Sequence, residues 1–197
     1  MENFEKKELE FLEREKFMEV ISKFSTRAKI ELLQLVNGLR SVAEITVIPK
    51  FKDIMLPSIE SLRDLGFAIV QKENEYGITE YFVSKDYQLA VEALNCEDHK
   101  RFGELMGFPE SSIKAFLDNE NNKDSLLEDE ELAQRIGFEN YCFPFRISRE
   151  MAEDEILYLK KSYLMLLEQA PQLIDDMLPS DLDREEFKRK VSVFVYG

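Results

Sequence analysis

The sequence predicts an α+β fold that is mainly α, a helical bundle with a small antiparallel β element. Three observations lead there. With 7 Gly and 6 Pro in 197 residues, little of the chain is available for irregular loops. Most long stretches repeat their apolar residues at steps of three and four, the period of a helix with one buried face. Between residues 68 and 84 that period gives way to two β-prone runs around a short polar segment containing Gly77, the pattern of a hairpin. At 44% hydrophobic and 34% charged, the composition is that of a globular chain able to bury a core without disulfides or metals.

Taken in order, residues 4–24 read as a helix, with Phe17, Val20, Ile21 and Phe24 on one stripe. Ser25 or Thr26 caps the next helix, which runs through Leu32, Leu33, Val36 and Leu39 toward Gly38. The β-branched run Ala43 to Ile48 reads as a short strand stopped by Pro49. Pro57 suits the first turn of a helix through Ile59, Leu62 and Leu65, with Gly66 just past its end. The hairpin FAIVQK-ENEYG-ITEYFVS follows. The order helix, strand, helix, hairpin over 26–84 resembles a winged helix. Beyond it, Asp86 caps a helix through Ala90 and Leu94, and Phe102, Leu105 and Met106 lead to Gly107. Pro109 opens a helix through Ile113 and Phe116, and NENNKD closes it. Ser125 and Glu128 pair as a capping box for a helix ending at Gly137. After an aromatic connector, Ser148 starts a long helix to about Gln169, apolar nearly all round past Lys161, and a last helix follows Ser180 and Asp183. This divides the chain into an N-terminal helix (1–25), a winged-helix-like α+β segment (26–86) and a helical region (87–197), the last two expected to form one compact unit.

Charge is unevenly spread. The net value is −14, yet residues 23–88 hold 9 basic and 9 acidic side chains while 89–197 hold 13 and 24. An acidic C-terminal half repels a phosphate backbone. The helix that a DNA-binding winged helix would place in the major groove, PSIESLRDLG, offers Arg63 against Glu60 and Asp64. Nucleic acid is therefore disfavoured as a partner. No apolar run reaches the roughly 18 residues of a membrane span, the alternating charges of the N-terminus resemble no signal or transit peptide, and two cysteines make no disulfide framework. A cytoplasmic protein is the expectation.

Candidate site residues cluster in two stretches. Cys96 and His99 stand three apart, on one face if a helix holds both, and Cys142 is the other thiol. Such a set suits zinc or a Cys–His nucleophile, but zinc signatures usually bring two ligand pairs. One histidine and two cysteines are the only soft ligands, so neither a metal nor any other cofactor is expected. The plainer reading is a surface histidine and two packed thiols. Phe108, Pro109, Ser111 and Ser112 lie at a helix start whose free N–H groups and hydroxyls suit an anion, or simply cap the helix. Tyr141 sits beside Cys142 in the aromatic connector. The carboxylates Glu128 to Glu131, and Asp181 to Glu186, match the macrodipole at helix starts and read as solvated faces.

The string FGELMGFPESSIKAF, residues 102–116, resembles an uncharacterised, largely archaeal family whose members carry G-Y-P, then paired cysteines and an apolar helix. Gly107, Phe108 and Pro109 match the first part, and Ser111 and Ser112 stand in place of the cysteines. The resemblance implies kinship over about fifteen residues, and that departure removes the thiols on which a metal or redox role would rest. No G-x-G-x-x-G, P-loop, H-E-x-x-H or G-x-S-x-G occurs, so catalytic residues remain unassigned. Two readings follow. One is a binding or regulatory protein acting through protein–protein contacts, with another protein or with itself. The other is a small-ligand binder or enzyme built on residues 96–116 with Tyr141 and Cys142.

Overall fold

A three-stranded antiparallel sheet in the order β1-β3-β2 organises one part of the chain, and packed helices make up the rest. The computed structural model describes residues 14–118, 127–143, 147–149 and 152–197. These form two units, Met1–Leu32 with Val42–Asn95, and Leu33–Ser41 with Cys96–Gly197.

In the first unit residues 14–21 form α1, and the rest of the expected 4–24 helix before it lies outside the described residues. Phe17, Ile21 and Phe24 are buried, as their spacing requires. The Ser25 hydroxyl accepts from the Ala28 N–H at 3.3 Å, so Ser25 is the cap of α2 (Thr26–Val36). Then come β1 (Val42–Val47), a 3-10 turn (Pro49–Phe51), α3 (Lys52–Asp64), β2 (Ala68–Glu73), β3 (Thr79–Ser84) and α4 (Tyr87–Leu94). The helix–strand–helix–hairpin order is the one that the sequence predicts. Ala43, Ile45 and Val47 take one face of β1 and are buried, and Val42 on the other face and Tyr81, Phe82 and Val83 of β3 are buried too. Pro57 corrects one expectation: it lies inside α3, since the helix already begins at Lys52 behind the 3-10 turn. The ring removes an N–H there, and Ser61 donates its hydroxyl to the Pro57 carbonyl at 2.8 Å.

The second unit holds α5 (His99–Leu105), α6 (Glu110–Asp118), α7 (Asp129–Ile136), α8 (Ala152–Gln169), α9 (Gln172–Met177) and α10 (Arg184–Tyr196). The short α9 was not legible in the sequence: six residues are less than two turns and show no period. Its core is aromatic. The Tyr163 ring meets Phe138 at 5.2 Å and Phe143 at 5.0 Å edge to face, and Phe138 meets Phe187 at 5.2 Å. The string around Gly107 has a packing role. A Cβ at Gly107, where φ is +77°, would stand 2.4 Å from the Leu39 carbonyl oxygen, and one at Gly103 would stand 2.9 Å from the Ile113 side chain. Glycine lets α5 touch α6 and lets the turn lie against residues 39–40.

Two further expectations need correction. The cap of α7 is Glu128, whose N–H donates to Glu131 at 3.2 Å; Ser125 and the NENNKD loop lie outside the described residues. The long helix is described from Ala152, and Ser148 precedes it. Past Lys161 this helix is enclosed on most sides, as its spacing predicts: Ser162, Tyr163, Met165 and Leu166 are buried and Leu164 and Leu167 half-buried, whereas Leu157, earlier in the helix, is exposed. Among the described residues, no helix is long and apolar enough to cross a membrane.

Candidate functional site

The stretch 96–116 does not assemble around its thiol and histidine. Helix α4 ends at Leu94, so Cys96 and His99 share no helical face. Cys96 lies half-buried in the connection, its thiol donating to the Asp98 carbonyl at 3.3 Å. Asp98 then caps α5, accepting from the N–H of Lys100 at 2.8 Å and of Arg101 at 3.2 Å, and this places His99 as an exposed first residue. The break follows from the Asn95–Asp98 sequence, where Asn95 closes α4 and Asp98 starts α5. Among the described residues no group of three or more His, Cys, Asp or Glu is arranged to hold a metal ion.

Cys142 is buried apart from them, hydrogen-bonded to Tyr163. Burial pushes its thiol up to about 12, against a smaller downward pull from that bond. A thiol so held is protonated at neutral pH and a poor nucleophile. Tyr163 donates its hydroxyl to Asn140 at 3.0 Å, and the Asn140 amide donates to the Phe143 carbonyl at 2.6 Å, which fixes the connector.

At the start of α6, Phe108 and Glu110 are exposed, and Pro109 and Ser111 are half-buried. Ser112 is buried and turned inward, donating its hydroxyl to Glu155 of α8. The same carboxylate oxygen accepts the Ser148 N–H at 2.8 Å. The hydroxyl expected to bind an outside anion therefore holds a carboxylate of this chain. Glu155 is fully enclosed, and its other oxygen has no hydrogen-bond partner. Sequence reading missed it among the exposed carboxylates of its helix. The signal was present: Glu155 lies three residues after Ala152 and four before Leu159, on the buried stripe itself.

Tyr141 lines a pocket. The cavity, about 370 Å³, is lined by residues of α7 and α10 and their neighbours, among them Phe138, Tyr141 and Phe187 and the charged Glu139, Asp183, Glu186 and Lys190. Tyr141 donates its hydroxyl to Glu139, a bond that raises its pKa. Glu186 is already engaged by Arg189 at 2.7 and 2.8 Å, which holds its carboxyl below the usual range.

The first unit presents a different kind of surface. Strands β1, β2 and β3 pair so that Val47, Glu73 and Thr79 lie at one end of the sheet. Both the β1–α3 connector and the β2–β3 tip leave from that end. A Cβ on Gly77 would stand 3.1 Å from the Pro49 ring, so tip and connector touch. Lys52 of α3 pairs with Glu73 of β2 beside them. Ile48, Phe51, Ile54 and Tyr76 are all exposed here, Ile54 at 68% and Tyr76 at 73%. The tip that carries Tyr76 is tightly bonded. The Asn74 side chain accepts from the N–H groups of Tyr76 at 2.9 Å and Ile78 at 3.1 Å, and Gly77, at φ +74°, donates to the Asn74 carbonyl at 3.0 Å. On α3, the lone groove-type cation Arg63 is paired with Glu60.

No family model, curated protein or solved structure matches this chain.

Proposed function

We propose that the chain is a cytoplasmic binding or regulatory protein that docks a protein partner on the end of its winged-helix-like unit, through Ile48, Phe51, Ile54 and Tyr76. The observation behind this reading is the gathering of four exposed large apolar side chains where the connector meets the hairpin tip. Single exposed apolar residues are ordinary on protein surfaces, but contiguous ones favour interfaces. The hydrogen-bonded tip holds Tyr76 in place before any partner arrives, so little ordering cost remains to be met on binding. Two free cysteines support a reducing compartment. Nucleic acid is a poor partner for α3, where Arg63 is engaged by Glu60 and Asp53 and Asp64 add negative charge.

Photo-crosslinking tests this directly. A benzoylphenylalanine at position 76 should give a protein adduct in the native cell, and one at the exposed position 157 should not. Equal labelling from both positions, or none from position 76, refutes the docking surface. The second reading, a small-ligand site, draws support from the cavity beside Tyr141. Its aromatic side chains and its three carboxylates against one lysine suit an organic cation with an apolar body. Benzamidine should perturb Tyr141 fluorescence with saturation if the pocket is such a site, and leave it unchanged if it is not.

A further inference from the structure

We infer that the partner on this surface is a second copy of the same chain, joined about a twofold axis. The inference rests on the docking reading above and adds the identity of the occupant. Three observations carry it. The chain has a net charge of −14, so two copies repel except where charge is balanced, and residues 23–88, which contain the whole patch, hold 9 basic and 9 acidic side chains. Within the patch the two halves have opposite sign. The connector, residues 48–54, carries Lys50, Lys52 and Asp53, for a net +1, whereas the tip, residues 72–76, carries Lys72, Glu73 and Glu75, for a net −1. A twofold axis lays the connector of one copy on the tip of the other, and repeats that contact in reverse.

The pairing inside one copy then leaves the right groups over. Lys52 is taken by Glu73, and Lys72 is taken by Glu80 at 3.0 Å. Among the described residues Lys50 has no ion pair, its ammonium lying 5.5 Å from the Phe51 ring, and Glu75 at the tip has none either. Lys50 of each copy facing Glu75 of the other satisfies both, twice, around an apolar centre of Phe51, Ile54 and Tyr76. An apolar centre with a charged rim is the usual anatomy of a specific contact.

Analytical ultracentrifugation of the full chain over a wide concentration range is the test. The wild-type chain should show a monomer–dimer equilibrium, and Ile54→Asp should return it to monomer, with an unchanged melting temperature at dilutions where the wild type is also monomeric. Lys50→Glu and Glu75→Lys should each weaken the dimer about threefold to tenfold or more, since an exposed pair contributes modestly and each is lost twice. The two single variants mixed in equal amounts should associate more tightly than either alone, because the mixed dimer restores both pairs. A chain that stays monomeric throughout, a dimer indifferent to Ile54→Asp, or a mixture no tighter than its components overturns the self-pairing. The crosslink from position 76 separates the two failures. An adduct of twice the chain mass supports self-pairing, an adduct with another protein keeps the docking surface while removing self-pairing, and no adduct removes both.

Discussion

In the first unit Phe51, Ile54 and Tyr76 stand in solvent at one end of a sheet, whereas in the second Phe138, Phe143, Tyr163 and Phe187 turn inward and pack edge to face. The second unit also exposes Phe108, Phe116, Leu157, Val193 and Tyr196, of which Val193 and Tyr196 share α10 while the others lie elsewhere. Charge divides the same way. The acidic excess lies mostly after residue 88, and the sheet-bearing segment is neutral. The physical lesson is that apolar surface and balanced charge belong together. A neutral region can bring exposed rings against another protein without repulsion, and an acidic region is better used to keep its rings inside and its carboxylates in water.

The strongest way to break this contrast is to charge the enclosed region. Leu166 is fully buried in α8, so Leu166→Asp should cost about 3–5 kcal/mol through lost packing and an unpaired buried charge. Denaturant melts measure it, and an unchanged midpoint would show that α8 is not enclosed.

Glu155 sharpens the same contrast, being an acidic side chain inside the region that otherwise keeps acids outside. Glu155→Ala strands the Ser112 hydroxyl and the Ser148 N–H and should cost about 2–4 kcal/mol. Glu155→Gln keeps an acceptor oxygen and removes a buried charge, so it should lie within about 1 kcal/mol of wild type. Equal losses in both variants would mean that the charge itself is needed.

Cys142 gives a smaller, pH-dependent effect. Its folded thiol stays protonated to about 12, against an ordinary 9.0, because burial disfavours the thiolate. The unfolded chain releases this proton first as pH rises, so it binds fewer protons than the folded chain through that window. Stability should be intact below about pH 9 and fall by about 1.4 kcal/mol per pH unit above it. Cys142→Ala should flatten this fall only partly, since buried Tyr163 titrates in the same direction. Native alkylation with iodoacetamide should likewise modify half-buried Cys96 and spare Cys142 until the chain unfolds.

The smallest stability effect belongs to the exposed region. Ile54→Asp at 68% exposure should shift the melting midpoint by no more than about 0.5 kcal/mol when measured on dilute monomer. A larger loss would place Ile54 in the core rather than on an interface.

Much of the fold was legible in the residues. Apolar steps of three and four located α2 and α8, β-branched runs located β1 to β3, and Asp86, Asp183, Gly66 and Gly137 marked ends that the structure keeps. These are local signals, set by backbone sterics and by which side chains can satisfy a helix end. Boundaries that hinge on neighbours were not legible, as with Pro57, which the preceding turn moved into a helix interior.

The candidate site shows where such reading stops. Sequence by itself determined that one histidine and two cysteines are all the imidazole and thiol chemistry present, and that the acidic excess lies mostly after residue 88. Only tertiary structure decided that Ser112 turns in to Glu155 and that Cys142 is enclosed beside Tyr163. It also decided that Ile48, Phe51, Ile54 and Tyr76 are exposed near one end of a sheet. Distance along the chain does not report distance in space, and strand register brought residues 48–54 against residues 74–77. Burial is likewise a property of the neighbours. Glu155 and Glu153 are one residue type two positions apart on one helix, yet one is sealed and the other exposed, because only one faces α6.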